Sequence, residues 1–411
     1  MRLLLLTQLF HPEPNWLKGL AFARALQAEG IQIQVLCTFP NYPGGRIYPG
    51  YRQRLWQREE IQGIEVFRVP VYPSHDRSGL KRALTFGSAA VALATLGPWL
   101  VRRPDVIHVY QGPATLVLAA RVLSWRFRCP FLLDVQDLWP ESVLDSGMLR
   151  LPGAERLLHW WCDRSYRRAA RIVVLSPGYR AAIERRGIPG DKLSVVYNWC
   201  DPRQEEPLPE PGPPDPHGLG GSFNVIYAGN LGPLQALETV LESARRVQDR
   251  HPEVQFVFIG DGVQKTALQR QAAGLDLKNT RFLGRLTGPE LRSALAQARA
   301  LLISLRDTAL TRVGIPSKTQ SCLAAGRPIL AAVEGEARRV IEESGAGVVC
   351  SPEDVAGLVE GVERLVRMPD SEREAYGKRG REFYLREMSF AAGLPRMRDL
   401  IREVAKAGHE G

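Results

Sequence analysis

At 411 residues the chain is too long for one ordinary core, so two large domains are expected. Its composition, 45% apolar and 24% charged, is globular and excludes widespread disorder. The net charge of +10 is spread along the chain, which argues against a nucleic-acid face and fits an anionic small molecule or an anionic membrane surface.

The opening MRLLLLTQLF carries one arginine and no small-residue cleavage site, and reads as a first strand rather than a signal peptide. A helix near Leu17 to Gln27 follows, then the strand IQIQVLC. Asn41 to Arg54, rich in Tyr, Pro, Gly and Arg, reads as a loop over the strand ends. Thr85 to Val101 is a long uncharged run broken by Gly97-Pro98. It is expected to be a buried helix, with interfacial membrane contact or a true span as the alternatives, and Lys81, Arg82, Arg102 and Arg103 flank it. VIHVY, a helix, FLLDVQD, the helical ERLLHWWCDRSYRRAA, RIVVLS, GYRAAIERRG and LSVVYN complete a βαβ rhythm that predicts a parallel sheet with helices on both faces.

Proline and glycine dominate Asp201 to Ser222, which reads as a linker. After it the rhythm restarts with FNVIYAG, a helix from Leu234 to Val247, VQFVFIGDG, a helix from about Gln264 to Ala273, TRFLG, PELRSALAQA and ALLISL. The stretch IPSKTQSCLAAGRPIL then reads as a helix start, a short helix, a glycine stop and a strand, and the remainder alternates helices with GVVC. The expected division is 1–200, linker 201–222, 223–385, and a C-terminal helix, 386–411, returning to the first domain. Two doubly wound parallel sheets would open their carboxyl ends on a cleft. Cys37, Cys129, Cys162, Cys200, Cys322 and Cys350 form no CxxC pair and read as buried residues of a reducing compartment.

Chemistry is expected at the strand ends. Pro316 suits the first helical position, Ser317 a cap, and Lys318 adds a charge to the positive end of a helix dipole, which is a site for phosphate. Gly229 and Asn230 after VIYA, Gly260 and Asp261 after VFI, Gly284 and Arg285 after RFL, and Arg312 before the helix are expected to line the same site, their glycines letting backbone approach a nucleotide. In the first half, Gln136 and Asp137 follow FLLDV and suit sugar hydroxyls or a proton, although Asp137 also suits a helix cap. His11 and Glu13 follow the first strand, and Lys18 and Gly19 near a helix start suit a second phosphate contact. His108, inside VIHVY, and His159 read as structural. No GxGxxG opens a helix after either first strand, which disfavours a dinucleotide oxidoreductase, and no Asp-x-Asp is present for a bridging metal.

Taken together, HPEPNWLKGLAFARAL, FPNYPGGRIYPGYR, LLDVQDLWPES, RIVVLSPGY, VVYNWCD, YAGNLGPLQALETVLESA, FIGDG and IPSKTQSCLAAGRPIL resemble the family 4 glycosyltransferases of GT-B fold. Among these they resemble the WbuB-like transferases of exopolysaccharide and O-antigen assembly. The resemblance implies two Rossmann-like domains and retaining, metal-independent transfer without a cofactor, from a nucleoside diphosphate sugar to a lipid-linked glycan. It implies a cytoplasmic protein, peripheral on the inner face of the cell membrane. Lys318 would hold the diphosphate, and Gln136 and Asp137 would lie near sugar and acceptor. Two departures stand out. Where many members carry glutamates that read the ribose, this chain has Ser321 and Val313, and where they have arginine and lysine it has Asn230 and Gln235. These departures leave a non-catalytic binding partner of an assembly complex as the alternative, with a same-fold nucleotide-sugar epimerase as a third.

Overall fold

The computed structural model describes residues 1–74, 79–145, 153–210 and 215–410. The chain forms two units, Met1–Tyr197 with Gly393–Gly411, and Asn198–Ala392.

The first unit holds an eight-stranded sheet: β1 (Arg2–Leu6), β2 (Gln32–Thr38), β3 (Gln57–Ile61), β4 (Ile64–Val69), β5 (Val106–Gln111), β6 (Phe131–Val135), β7 (Arg171–Val174) and β8 (Leu193–Val195). Their order is β3-β4-β2-β1-β5-β6-β7-β8. Every pairing is parallel except β3 with β4, an antiparallel hairpin turned at Gln62-Gly63, both with positive φ. This hairpin adds an antiparallel edge to the parallel sheet expected from sequence. The other strands are short apolar runs because both faces are covered, and β6 is buried at every residue. The terminal helix Phe390–Glu410 packs into this unit from Gly393 on, with Arg398 3.2 Å from Glu29 and Arg171 paired to Glu403.

The apolar run of the first unit is a 22-residue helix, Gly79–Leu100, which continues through Gly97 and Pro98 instead of breaking there. Pro98 sits in its last turn, where it removes one ladder donor, the bond to the carbonyl of Ala94, only two residues before the helix ends. At Gly97 the side chains of Leu36 and Leu123 come so close that an added Cβ would lie 2.6 and 3.4 Å from them. The helix is long and apolar enough to span a membrane, but a third of its most apolar window is buried in the protein.

The second unit holds a fully parallel sheet of β9 (Phe223–Ala228), β10 (Val254–Ile259), β11 (Thr280–Gly284), β12 (Ala298–Ser304), β13 (Ile329–Ala332) and β14 (Gly347–Cys350), in the order β11-β10-β9-β12-β13-β14. Its core joins Val225, Tyr227, Phe256 and Phe258 to helices Leu237–Gln248 and Val355–Arg367. Each large apolar side chain so buried contributes about 1.5–3 kcal/mol. The chain winds outward from β9 to β11 and returns to β12 on the other side of β9. The winding therefore reverses between β9 and β12, where an α/β sheet opens a crevice at its carboxyl ends. Of the expected linker, 211–214 lie outside the described residues. Its preceding stretch is anchored on this unit: Arg292 donates to the carbonyls of Arg203, Glu206 and Pro207, and the Tyr384 hydroxyl to Glu205. Cys350 is half-buried, and the other five cysteines are buried thiols.

Candidate functional site

In the second unit the structure brings Gly229 and Lys318 together at that reversal point, whereas Gly284 ends β11 at the edge of the sheet and Arg285 follows it. After β12 come a short helix, Ala309–Val313, and the helix Ser317–Ala325. Pro316, not Ser317, holds the N-cap position, because its backbone is extended at φ −64° and ψ 141°. Ser317 is the first helical residue and makes no side-chain cap, which corrects its expected role, whereas Gly326 ends the helix in the left-handed turn as expected.

Lys318 reaches from this first turn towards β9. Half-buried as a residue, it carries a Nζ that is out of contact with solvent, has no hydrogen-bond partner, and lies 3.1 Å from the centroid of the Tyr227 ring. The ring face attracts the cation but replaces its water only in part, and burial pushes the Lys318 ammonium down to about 7. The Tyr227 hydroxyl donates to the carbonyl of Asn230 at 2.6 Å, fixing the loop after β9. Gly229 leaves the lysine its room: a Cβ there would stand 3.0 Å from Lys318 Cε and 3.2 Å from Nζ. An unpartnered cation, a helix start and a glycine loop thus meet at one point, which suits a polyanion.

The other loop glycine has a different purpose from the one expected. A Cβ on Gly260 would stand 1.9 Å from the carbonyl oxygen of Gly229, so Gly260 is required by contact between two protein loops. The same loops exchange backbone bonds, Gly229 N to Ile259 O at 2.9 Å, Leu231 N to Asp261 O at 2.9 Å and Gly260 N to Gly284 O at 2.7 Å. Asp261 accepts from the N–H of Gly262 and lies 3.8 Å from Lys265. Gln235 accepts from Gly232 N at 3.1 Å and so braces the loop. Arg285 is exposed just past β11. Arg312 is already engaged, its Nε and Nη2 each 2.5 Å from the Asp307 carboxylate. The Ser321 hydroxyl donates to Ser317 O at 3.3 Å.

In the first unit the structure redistributes the expected roles. Lys18 does not face solvent for a second phosphate: its side chain is 2% exposed and its Nζ is 3.8 Å from Asp134. Gly19 heads helix Leu20–Ala28 with Asn15 O so near that a Cβ would clash at 1.9 Å, a local packing need. Glu13 is buried and accepts from the N–H groups of Phe10, Asn41 and Tyr42, tying the loop after β1 to that after β2. Burial raises its pKa against those bonds. His11 is exposed, and its carbonyl accepts from Arg68. His108 is buried with Nε2 3.2 Å from Asp134, but its Nδ1 has no partner, so the core histidine is only half satisfied. His159 lies on a helix surface, 3.8 Å from Glu155.

Gln136 donates through Nε2 to Asp134 Oδ1 at 2.5 Å. Asp137 is exposed, yet the protein around it pushes its carboxyl up to about 6 by desolvation. Their loop is held from beneath by Arg186, which donates to Trp139 O at 2.8 Å and to Asp163 at 2.7 Å. Sequence reasoning missed Tyr227 and Asp134. Tyr227 looks like one more residue of an apolar strand, whereas Asp134 carried a signal, as the one charge in the otherwise apolar run FLLDV.

Residues 20–199 match the family described as glycosyl transferase 4-like domain, and residues 222–368 match glycosyl transferases group 1. WbjE of Pseudomonas aeruginosa, assigned as a glycosyltransferase, is 30% identical over 74% of this chain and 76% of its own. WcaI of Escherichia coli, assigned as a colanic acid biosynthesis glycosyl transferase, is 25% identical over 84% and 86%. Among solved structures, HepE of Anabaena in complex with UDP and glucose superposes with TM-score 0.68 at 14% identity, covering 98% of this chain and 99% of its own. A trehalose 6-phosphate synthase of Burkholderia multivorans superposes with TM-score 0.73 at 15% identity, covering 99% and 98%.

Proposed function

Because the chain belongs to the glycosyltransferases, pairing a glycosyl transferase 4-like domain with a group 1 domain in a GT-B fold, we propose a specific reaction for it. It moves a sugar from a nucleoside diphosphate sugar to a lipid-linked glycan, with retention, in cell-surface polysaccharide synthesis. The observation that carries this reading is the Lys318 Nζ, buried without a hydrogen-bond partner at the helix start between β9 and β12. A diphosphate there gives the ammonium its missing acceptors and meets the positive end of the helix. As the glycosidic bond breaks, charge grows on the leaving diphosphate, and Lys318 with the helix start stabilises it without a divalent cation. The departing phosphate oxygen takes the acceptor hydroxyl's proton as its own bond to the anomeric carbon breaks, while the acceptor oxygen bonds that carbon on the face the diphosphate leaves, which is retention. Gln136 and Asp137 serve the acceptor.

Complexes of HepE with UDP and with UDP-glucose make UDP-glucose the first donor to try. Thermal shift and product NMR with UDP-, GDP- and dTDP-sugars, with and without EDTA, test the reading. Stabilisation of wild type but not of Lys318→Ala and an axial product from an axial donor are expected. An inverted product, or stabilisation that needs a metal, overturns the corresponding part.

A peripheral place on the cytoplasmic face of the membrane is part of the same reading. It is supported by Trp99 and Trp125, 83% and 81% exposed, at the ends of helices Gly79–Leu100 and Val117–Phe127. Exposed Arg102, Arg103, Arg126 and Arg128 stand beside them. Amphipathic rings set among arginines suit an anionic lipid interface, at about 1 kcal/mol per basic residue. Co-sedimentation with anionic vesicles is expected to fall in Trp99→Ser/Trp125→Ser and with added salt, and binding indifferent to both removes this part.

A further inference from the structure

Three helices of the first unit form one charge-segregated layer. Gly79–Leu100 packs on Val117–Phe127, which in turn meets Ala154–Arg168. There the Trp161 Nε1–H donates to Ala114 O at 3.1 Å, and the Arg121 guanidinium stands over the Trp161 ring, 5.4 Å from its centroid. The three helices carry two, two and four lysines and arginines but only two acids, Glu155 and Asp163. Both acids are engaged, Glu155 with His159 at 3.8 Å and Asp163 with Arg186 at 2.7 Å.

Leu157, Trp161, Arg164 and Arg168 recur at spacings of three and four and so share one face of their helix, the face that Arg121 meets. Among the described residues no carboxylate pairs with Arg121, Arg164 or Arg168. Burial and the charges of Arg164 and Arg168 hold the Arg121 guanidinium below its usual range, as like charges gathered without a counter-ion must. Apolar surface borders them. Leu157, Trp160 and Trp125 are exposed, Arg164 stands 5.9 Å over the Trp160 ring, and Trp125 follows Arg121 by one turn. Guanidiniums without an acid suit a phosphate that carries more than the single charge of a diester, and rings beside them suit a carbon chain. Nucleic acid would supply the charge but would leave the exposed Leu80, Leu84 and Val91 of the neighbouring helix uncovered.

We propose that Arg121, Arg164 and Arg168 hold the headgroup of a lipid whose phosphate carries two or more negative charges, with Trp125, Trp160 and Leu157 along the start of its chain. The inference rests on the reading that the protein works at a membrane on a lipid-linked acceptor, whose lipid end is then the occupant.

The first measurement needs neither a membrane nor turnover. Geranyl diphosphate, titrated by calorimetry into Lys318→Ala protein to silence the donor site, should bind at least about tenfold more tightly than inorganic diphosphate, the worth of about two buried methylenes. Arg121→Gln should weaken it about tenfold, and so should Arg164→Gln/Arg168→Gln, which alters only exposed side chains and keeps the test open if Arg121→Gln does not fold. Arg246→Gln/Arg270→Gln, which takes two exposed charges from the second unit, should change it by less than about twofold. Equal binding of inorganic diphosphate, an equal loss in that control, or tighter binding of a single-stranded oligonucleotide to the same arginines overturns the proposal.

The second measurement uses phosphatidylcholine vesicles doped to equal surface charge with phosphatidic acid, a monoester, or phosphatidylglycerol, a diester. Wild type should partition at least about fivefold better to the monoester, and Arg164→Gln/Arg168→Gln should abolish that preference. Partition without preference overturns the proposal. If wild type attaches to no vesicle, the peripheral reading is what fails, and the geranyl diphosphate titration alone decides the site.

Discussion

Lys18 and Lys318 each stand near a helix start close to the first strand of their sheet, each with its ammonium group taken out of water. Their surroundings differ in one respect. Lys18 has Asp134 for a counter-charge 3.8 Å away, with the Phe22 ring 5.4 Å off. Lys318 has the face of Tyr227 and no hydrogen-bond partner. A buried charge needs a partner, and where the chain supplies none a ligand can. One lysine is therefore a structural element and the other a site, although the two stretches look alike in sequence.

The sharpest way to break this contrast is to remove each amine while keeping its stem. Lys18→Met leaves Asp134 buried without its counter-charge and should cost about 3–5 kcal/mol in urea unfolding. Lys318→Met removes a desolvated cation that nothing in the chain satisfies, so stability should hold or rise. Equal losses in both would erase the distinction. The converse holds for ligand. Lys318→Ala should weaken UDP-glucose about 10- to 100-fold by calorimetry, as for loss of a charge-assisted contact. An affinity kept within about threefold would move the diphosphate elsewhere.

The same contrast marks what sequence could show. Alternating apolar strands and helices gave away both sheets, and Lys318 was legible because a Pro-Ser-Lys helix start follows a strand and precedes a glycine stop. The hairpin of β3 and β4 was not read, since an edge strand such as QREEI alternates charged and half-buried residues and resembles a loop. Its signal was Gln62-Gly63 between two alternating runs. Lys18 resembled a phosphate ligand because its partner lies far along the chain, on a strand whose other four residues are apolar. Pairing across a sheet has no local trace. Gly260 was recognisable as a turn, but the contact that demands it, the carbonyl of Gly229, arises only when two loops are brought side by side.

Titration gives a weaker but more specific lever. Burial lowers Lys318 to about 7, so in the free protein the ammonium is lost as pH rises through that value, and a bound diphosphate restores it. Binding should then take up a proton at pH 8, and the Kd for UDP-glucose should be flat below about pH 6 and rise up to tenfold per unit above about 7. UDP-glucose is the right probe because its diphosphate is a diester that does not itself titrate there. Asp137, raised to about 6, titrates in the other unit. It should add an acid limb to acceptor kcat/KM but none to UDP-glucose affinity, and Asp137→Asn should remove that limb alone. A single inflection shared by both measurements would mean that the two sites are not electrostatically separate.

The smallest effect is expected at Arg312, which sequence placed among the donor ligands. Its side chain is exposed and its fork already meets both oxygens of Asp307, so it behaves as a surface pair whose contribution is small and screened. Arg312→Ala should change the Kd for UDP-glucose by less than about threefold, far below the Lys318→Ala effect. Asp307→Ala is the informative partner. If Arg312 is idle, freeing it changes nothing, whereas tighter binding in Asp307→Ala that Arg312→Ala abolishes would show a second cation held back from the diphosphate by its own neighbour. In that case the rule drawn from the two lysines would extend to the surface: a cation satisfied within the chain is withheld from the ligand, whether its partner is buried or not.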